Sequence, residues 1–281
     1  MDHATIRANG AAFHVVRTGR GLRVVLHREG APVEQRNTFH HTVVGAGVAD
    51  HGAAERGVEL GAALALQEGR VALDDGAGPP GATLRHLLAH ASGYFYESDA
   101  TLQAPGLRRH YSNYGIDEAA RHVERAVGRD FGDWVQERIA DPLGMTGLHW
   151  EGSASVGASG ALVDLALLAA ELQHPTLLDQ EVHAQLVGIH FPDLVGIMPG
   201  FGKQDPNPFG LGIEVRGSKS PHWTATAGSE RTYGHFGMRG TAFWIDPEAD
   251  LALVVGTSHD FCDAHREIMP RLGDAVLAAH R

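Results

Sequence analysis

The sequence predicts a mixed α/β (α+β) protein: one antiparallel β-sheet built from N- and C-terminal segments and flanked by helices, with an all-helical subdomain inserted between its halves. Three observations predict it. β-Branched and polar residues alternate near the start, helical periodicity fills the middle, and short β-rich runs punctuated by glycine return in the last third. The expected division is 1–80 with 205–281 for the sheet part and 81–204 for the helical part, together one domain.

Each element has its own signal. Ala12 to Val33 alternates around Gly19 and Gly21 and predicts a β-hairpin. Gln35 to Gly47 reads as a loop or short strand. From about Gly52 to Gln67, Val58, Ala62, Ala65 and Leu66 recur at helical spacing, with Gly69 as the stop and a short extended segment after it. The Pro79-Pro80-Gly81 turn leads into a short helix over Thr83 to His90, capped at or just before Thr83. Ile116, Ala119, Ala120, Val123 and Val127 mark one face of another helix. Asp130 then caps a helix that Pro142 is expected to stop. Two more helices are expected over Ser159 to Leu172 and about Gln180 to Gly188. Phe209 to Arg216, Tyr233 to Ile245 and Leu251 to Thr257 read as strands, and the last residues return to helix.

Composition narrows the function classes. With 43% hydrophobic and 20% charged residues among 281, the chain is long and apolar enough for a large core. A net charge of -11 gives no electrostatic footprint for nucleic acid or an anionic membrane, so neither is an expected partner. The start lacks a basic stretch followed by an apolar one, and no apolar run approaches a membrane span, so the expected location is cytoplasmic. The single cysteine, Cys262, fits a reducing compartment. Of 23 basic side chains only Lys203 and Lys219 are lysines, the type that can lose a proton and act as a base.

Five ordered landmarks carry a resemblance: EGRVALDD, TLRHLLAHASGY, HYSNYG, DPLGM and GHFGMRGTAFWIDPEADLALVV. Together they resemble the serine β-lactamase and penicillin-binding-protein-like superfamily, in particular the class C β-lactamase and esterase branch, over roughly residues 10 to 275. The resemblance implies a β-lactamase/transpeptidase-like fold and hydrolysis of amides, esters or β-lactams through an acyl-serine. That chemistry needs a Ser-x-x-Lys pair on one helix face, a Tyr-Ser-Asn tyrosine that shuttles the proton, and a Lys-Thr-Gly or His-x-Gly strand beside the oxyanion hole. Tyr111-Ser112-Asn113 and His235-Phe236-Gly237 match the last two.

The first has no match. Carrying the relatives' spacing back from Gly69 puts the nucleophile position at Gly52 and the lysine position at Glu55, where the sequence reads Gly-Ala-Ala-Glu. The residues three before Lys203 and Lys219 are Gly200 and Arg216, so no Ser-, Thr- or Cys-x-x-Lys exists in the chain, and a Gly-x-Ser-x-Gly elbow is also absent.

Three functions compete on these residues. The leading expectation is a member unable to form an acyl-enzyme, whose cleft binds a small molecule or partner through Gly52, Ser112, Asn113, Gly237 and Trp223. An alternative is a repurposed enzyme with Glu55, Tyr111 and His235 as acid–base groups. The other is a hydrolase with another nucleophile, such as Ser112 or an activated water. Phe201, like Trp223, sits in a glycine- and proline-rich loop and is a candidate ligand contact. No cofactor is expected. His86 and His90 stand at i and i+4 on a helix but fall inside the TLRHLLAHASGY landmark, where the resemblance implies no metal, and His40, His41 and His51 near Glu55 lack firm ligand spacing, so no metal is expected either.

Overall fold

The computed structural model describes the backbone of residues 3–8, 11–17, 23–27, 48–49, 51–256 and 260–280, and side chains from residue 57 onward except 257–259 and 281. Segment 35–47, with His40 and His41, and the side chains of His51 and Glu55 lie outside the described residues.

The predicted hairpin is β2 (Ala11–Arg17) and β3 (Arg23–His27), paired antiparallel with Arg17 opposite Arg23. A strand the sequence reading did not anticipate, β1 (His3–Ala8), adds to β2. A two-residue strand, β4 (Val48–Ala49), precedes helix α1 (His51–Gln67). Gly69, at φ 65°, ends α1: the Arg70 amide donates to the Ala65 carbonyl at 2.9 Å, the bond pattern of a left-handed helix cap. The segment after it is a series of turns rather than a strand. The Pro79 turn closes with a 2.9 Å bond from the Ala82 amide and leads through the cap Thr83 into α2 (Leu84–Leu88).

Helix α3 (Asn113–Val127) follows, capped by Ser112 and ended by Gly128 at φ 72°. The Asp130 side chain accepts the Asp133 amide at 3.2 Å and starts α4 (Phe131–Val135). Pro142 does not stop this helix. The chain widens into a π-turn over Gln136–Ala140, continues as α5 (Asp141–Leu143) and ends at Gly144, φ 73°. A proline in the first turn of a new helical segment gives up an amide that needs no partner there.

Short strands β5 (His149–Trp150) and β6 (Ala158–Gly160) come next, and β6 pairs with both β4 and β5. After them come α6 (Leu162–Gln173), α7 (Gln180–Val187), and the small ladder of β7 (Gly196–Met198) with β8 (Gly202–Gln204). The 81–204 span therefore holds four short strands among its helices.

The expected strand over Phe209 to Arg216 shrinks to β9 (Glu214–Val215). The amides ahead of it are drawn elsewhere: Leu211 donates to Leu186 at 2.9 Å and Gly212, at φ 78°, to Leu88 at 2.7 Å. The run from Tyr233 is two strands, β10 (Tyr233–Phe236) and β11 (Ala242–Asp246), joined by a turn. β12 (Leu251–Val255) and α8 (Asp263–His280) complete the chain.

The C-terminal sheet runs β12-β11-β10-β9, and β3 lies beside β12, so the two chain ends meet in the sheet layer as expected. Both faces of this layer are buried, which is why AFWID and LALVV read as continuous apolar runs. Phe243, Ile245, Ala252 and Val254 join a core with α1, α3 and α6, whereas Ala242, Trp244, Leu251 and Leu253 face Met269, Leu272 and Val276 of α8. The period-2 alternation thus distributes one strand pair between two cores. Among the described residues no helix is long and apolar enough to cross a membrane.

Candidate functional site

A cavity of about 300 Å³ opens where the end of α2, the start of α3, β7 and the end of β10 converge. Three of its positions are set by one local device. His90, just past α2, has φ 52°, a conformation rare for a residue with a side chain. From there its Nδ1 accepts the Ser112 amide at 3.2 Å, and its ring stacks on Tyr111 with centroids 4.4 Å apart. Because Nδ1 accepts, the ring proton is assigned to Nε2. His90 thereby fixes the Tyr111-Ser112-Asn113 segment at the N-terminus of α3.

Tyr111, Asn113, His235 and Gly237, four of the candidates read from the sequence, line the cavity. Tyr111 Oη lies 3.5 Å from His235 Nε2, at the outer limit of hydrogen-bonding distance, with the rings nearly parallel. His235 is held on β10 by pairing with Phe243. Gly234 beside it has no room for a side chain, since a Cβ there would lie 2.1 Å from the Phe243 carbonyl oxygen. Gly237 bonds to the Thr241 carbonyl at 2.7 Å and closes the turn after the strand.

Ser112 is placed differently. Its hydroxyl donates to the Phe95 carbonyl at 2.6 Å and accepts the Gly115 amide at 3.0 Å, capping α3, and it does not line the cavity. Gly52 lies in the first turn of α1. For Glu55 only the helical backbone is described, so its relation to Tyr111 and His235 lies outside the described residues.

Trp223 and Phe201 are corrections. Loop composition made both candidate ligand contacts, but both rings are buried in the core between the sheet and α8, and neither lines the cavity. Trp223 stays inside because its indole N–H finds a buried acceptor, Glu214 Oε2 at 2.9 Å, while its ring packs 5.4 Å from Phe236.

Behind the cavity lies a charged cluster that the sequence reading missed. Glu214, which lines the floor, accepts from Lys219 Nζ at 2.6 Å and from the His222 ring at 3.1 Å as well as from Trp223. Burial alone would raise the Glu214 carboxyl, but the Lys219 charge and the His222 hydrogen bond outweigh it and hold the group well below the usual carboxylate range. Burial pushes the Lys219 ammonium down to about 8, against the pull of Glu214. Lys219 Nζ also reaches Asn207 Oδ1 at 3.0 Å and the Pro208 carbonyl at 3.2 Å, so its three donors are committed. The other lysine, Lys203, is exposed and paired with Asp205. Neither lysine lines the cavity. Only pairwise spacing of a carboxylate and a lysine five residues apart was visible in the sequence, and that does not reveal burial.

Ser155, buried, supplies another cavity hydroxyl. Among the described residues no group of three or more His, Cys, Asp or Glu is arranged to hold a metal ion. His86 Nδ1 meets the Thr83 hydroxyl at 2.9 Å, a local helix-start contact.

The sequence model of the Beta-lactamase family matches residues 4–277. Among solved structures, a beta-lactamase from Mycobacterium bovis is 46% identical, covers 82% of this chain and 85% of its own, and superposes with a TM-score of 0.80. Simvastatin synthase from Aspergillus terreus, at 17% identity, covers 82% of this chain and 83% of its own with a TM-score of 0.66. A penicillin binding protein from Bacillus halodurans, at 16%, covers 79% and 83% with a TM-score of 0.59. The last two are likenesses of fold alone. No curated protein matches.

Proposed function

This chain belongs to the Beta-lactamase family, and from that premise we propose that its cleft binds a small molecule without forming an acyl-enzyme. The observation that carries the reading is a formed cavity with no serine paired to a lysine among its described lining residues. Tyr111, Asn113 and His235 line it, yet the sequence has no Ser-x-x-Lys, and neither lysine lines the cavity. Ser112, the hydroxyl next to the tyrosine, is committed to capping α3. Nucleophile and base act as a unit in such chemistry, so losing both removes the covalent route rather than slowing it.

The test is covalent labelling. Incubated with a fluorophosphonate probe or penicillin, the natural protein is expected to keep its intact mass, and nitrocefin and p-nitrophenyl esters to be hydrolysed no faster than with heat-killed protein. A Gly52→Ser, Glu55→Lys double variant is expected to gain the fluorophosphonate mass. An adduct on the natural protein would sink the proposal.

A second reading is favoured by the 3.5 Å approach of Tyr111 to His235. In it the cleft does acid–base chemistry on its ligand, with Glu55 as the third group. It requires turnover without an adduct, lost in Tyr111→Phe while ligand binding persists.

A further inference from the structure

We propose that the cleft selects an uncharged, ring-bearing apolar ligand and discriminates against carboxylates and other anions; this rests on the reading of the cleft as a non-covalent binding site. Among the described lining residues, Arg109 and Glu214 are the only Arg, Lys, Asp or Glu, and both are turned to the protein. The Arg109 Nε donates to the Asn207 carbonyl at 2.7 Å, Nη2 to the His190 and Phe191 carbonyls at 2.8 and 3.0 Å, and Nη1 to the Ala89 carbonyl. Four of its five donors are thus tied to backbone, and the side chain is buried. It holds three loops together rather than offering a fork to a ligand.

Glu214 is likewise spent on Lys219, His222 and Trp223. A ligand anion would leave water and find, among the described lining residues, no cationic fork facing it, because Arg109 is tied to backbone carbonyls and Lys219 to Glu214. A neutral carbonyl or hydroxyl has Asn113, Ser155 and Tyr111 within the same walls. The remaining walls are flat or apolar: Tyr111, Phe209 and Phe236 inside, and Tyr96, Ile197 and Met238 at the rim, which are 41%, 58% and 47% exposed. Rings stack on such surfaces, and about 300 Å³ is at the small end of ligand pockets, suited to one or two fused rings.

Two dyes with the same ring body separate the possibilities: neutral N-phenyl-1-naphthylamine and anionic 8-anilino-1-naphthalenesulfonate, titrated near pH 8, above the ordinary imidazole range. The neutral dye is expected to bind one per chain and at least about tenfold tighter than the sulfonate. Trp223, behind Phe236, supplies a second fluorescence readout. Narrowing the mouth with Ile197→Trp, or Met238→Trp if the first variant is unstable, is expected to weaken the neutral dye several-fold with an unchanged Tm. Sulfonate binding as tight or tighter, still sensitive to the rim variant, overturns the ligand class while leaving the cleft a binding site. Absence of binding by either dye, or binding that the rim variants do not touch, overturns both.

Discussion

His90 is the residue on which the described geometry of the site turns, because it ties the end of α2 to the start of α3. Its left-handed backbone is tolerated because three things hold it: the Ser112 amide on Nδ1, the stack on Tyr111, and an edge contact with Phe209 at 5.5 Å. His90→Ala leaves a buried amide without its acceptor, which costs about 1–3 kcal/mol, and releases Tyr111. His90→Asn keeps a short acceptor and a residue that adopts this backbone more readily. Urea midpoints are expected to rank native, Asn, then Ala. A His90→Asn variant as unstable as His90→Ala would contradict the hydrogen bond's role. Trp223 shows the reverse limit of residue-level reading: its loop suggested a ligand contact, but a buried acceptor on β9, nine positions before the indole, decides otherwise.

At the scale of elements, legibility followed periodicity. Helices α1, α6 and α7 begin and end within a few residues of the expected limits, and α3 buries Ile116, Ala119, Ala120 and Val123 of its expected face, because apolar spacing is local. What failed was decided by distant partners: β9 is short because its neighbours' amides go to Leu186 and Leu88, and the π-turn carries a helix through Pro142. The start of α3 is where element and site meet. Ser112→Ala removes the cap and the 2.6 Å bond to Phe95, a loss of about 1 kcal/mol by analogy with other caps. Because the hydroxyl faces the helix rather than the cavity, ligand affinity is expected to change less than twofold in a dye titration. Loss of an ester-hydrolysing activity in this variant, with its fold retained, would instead make Ser112 a nucleophile.

For the whole molecule, the antiparallel sheet flanked by helices was readable from the order of strands and helices, whereas the ionic cluster behind the cleft was not, because burial of Glu214, Lys219 and His222 exists only once β9 and its following loop fold together. That cluster couples stability to pH. The Glu214 carboxyl sits below its unfolded value of about 4.3. The unfolded chain therefore takes up this proton first as pH falls, so the contribution is fully present above about pH 5 and is lost progressively as pH drops toward the folded value. Replacing Glu214 by Gln strips the partner from a buried ammonium and is expected to cost about 3–5 kcal/mol near neutrality. The same variant lacks the titrating group, so its urea midpoint should change less between pH 5 and pH 3 than the native one. Parallel curves for the two proteins would place the acid sensitivity in other carboxylates, such as Asp246, which burial opposes but the Ser229, Glu248 and Ala249 hydrogen bonds hold low.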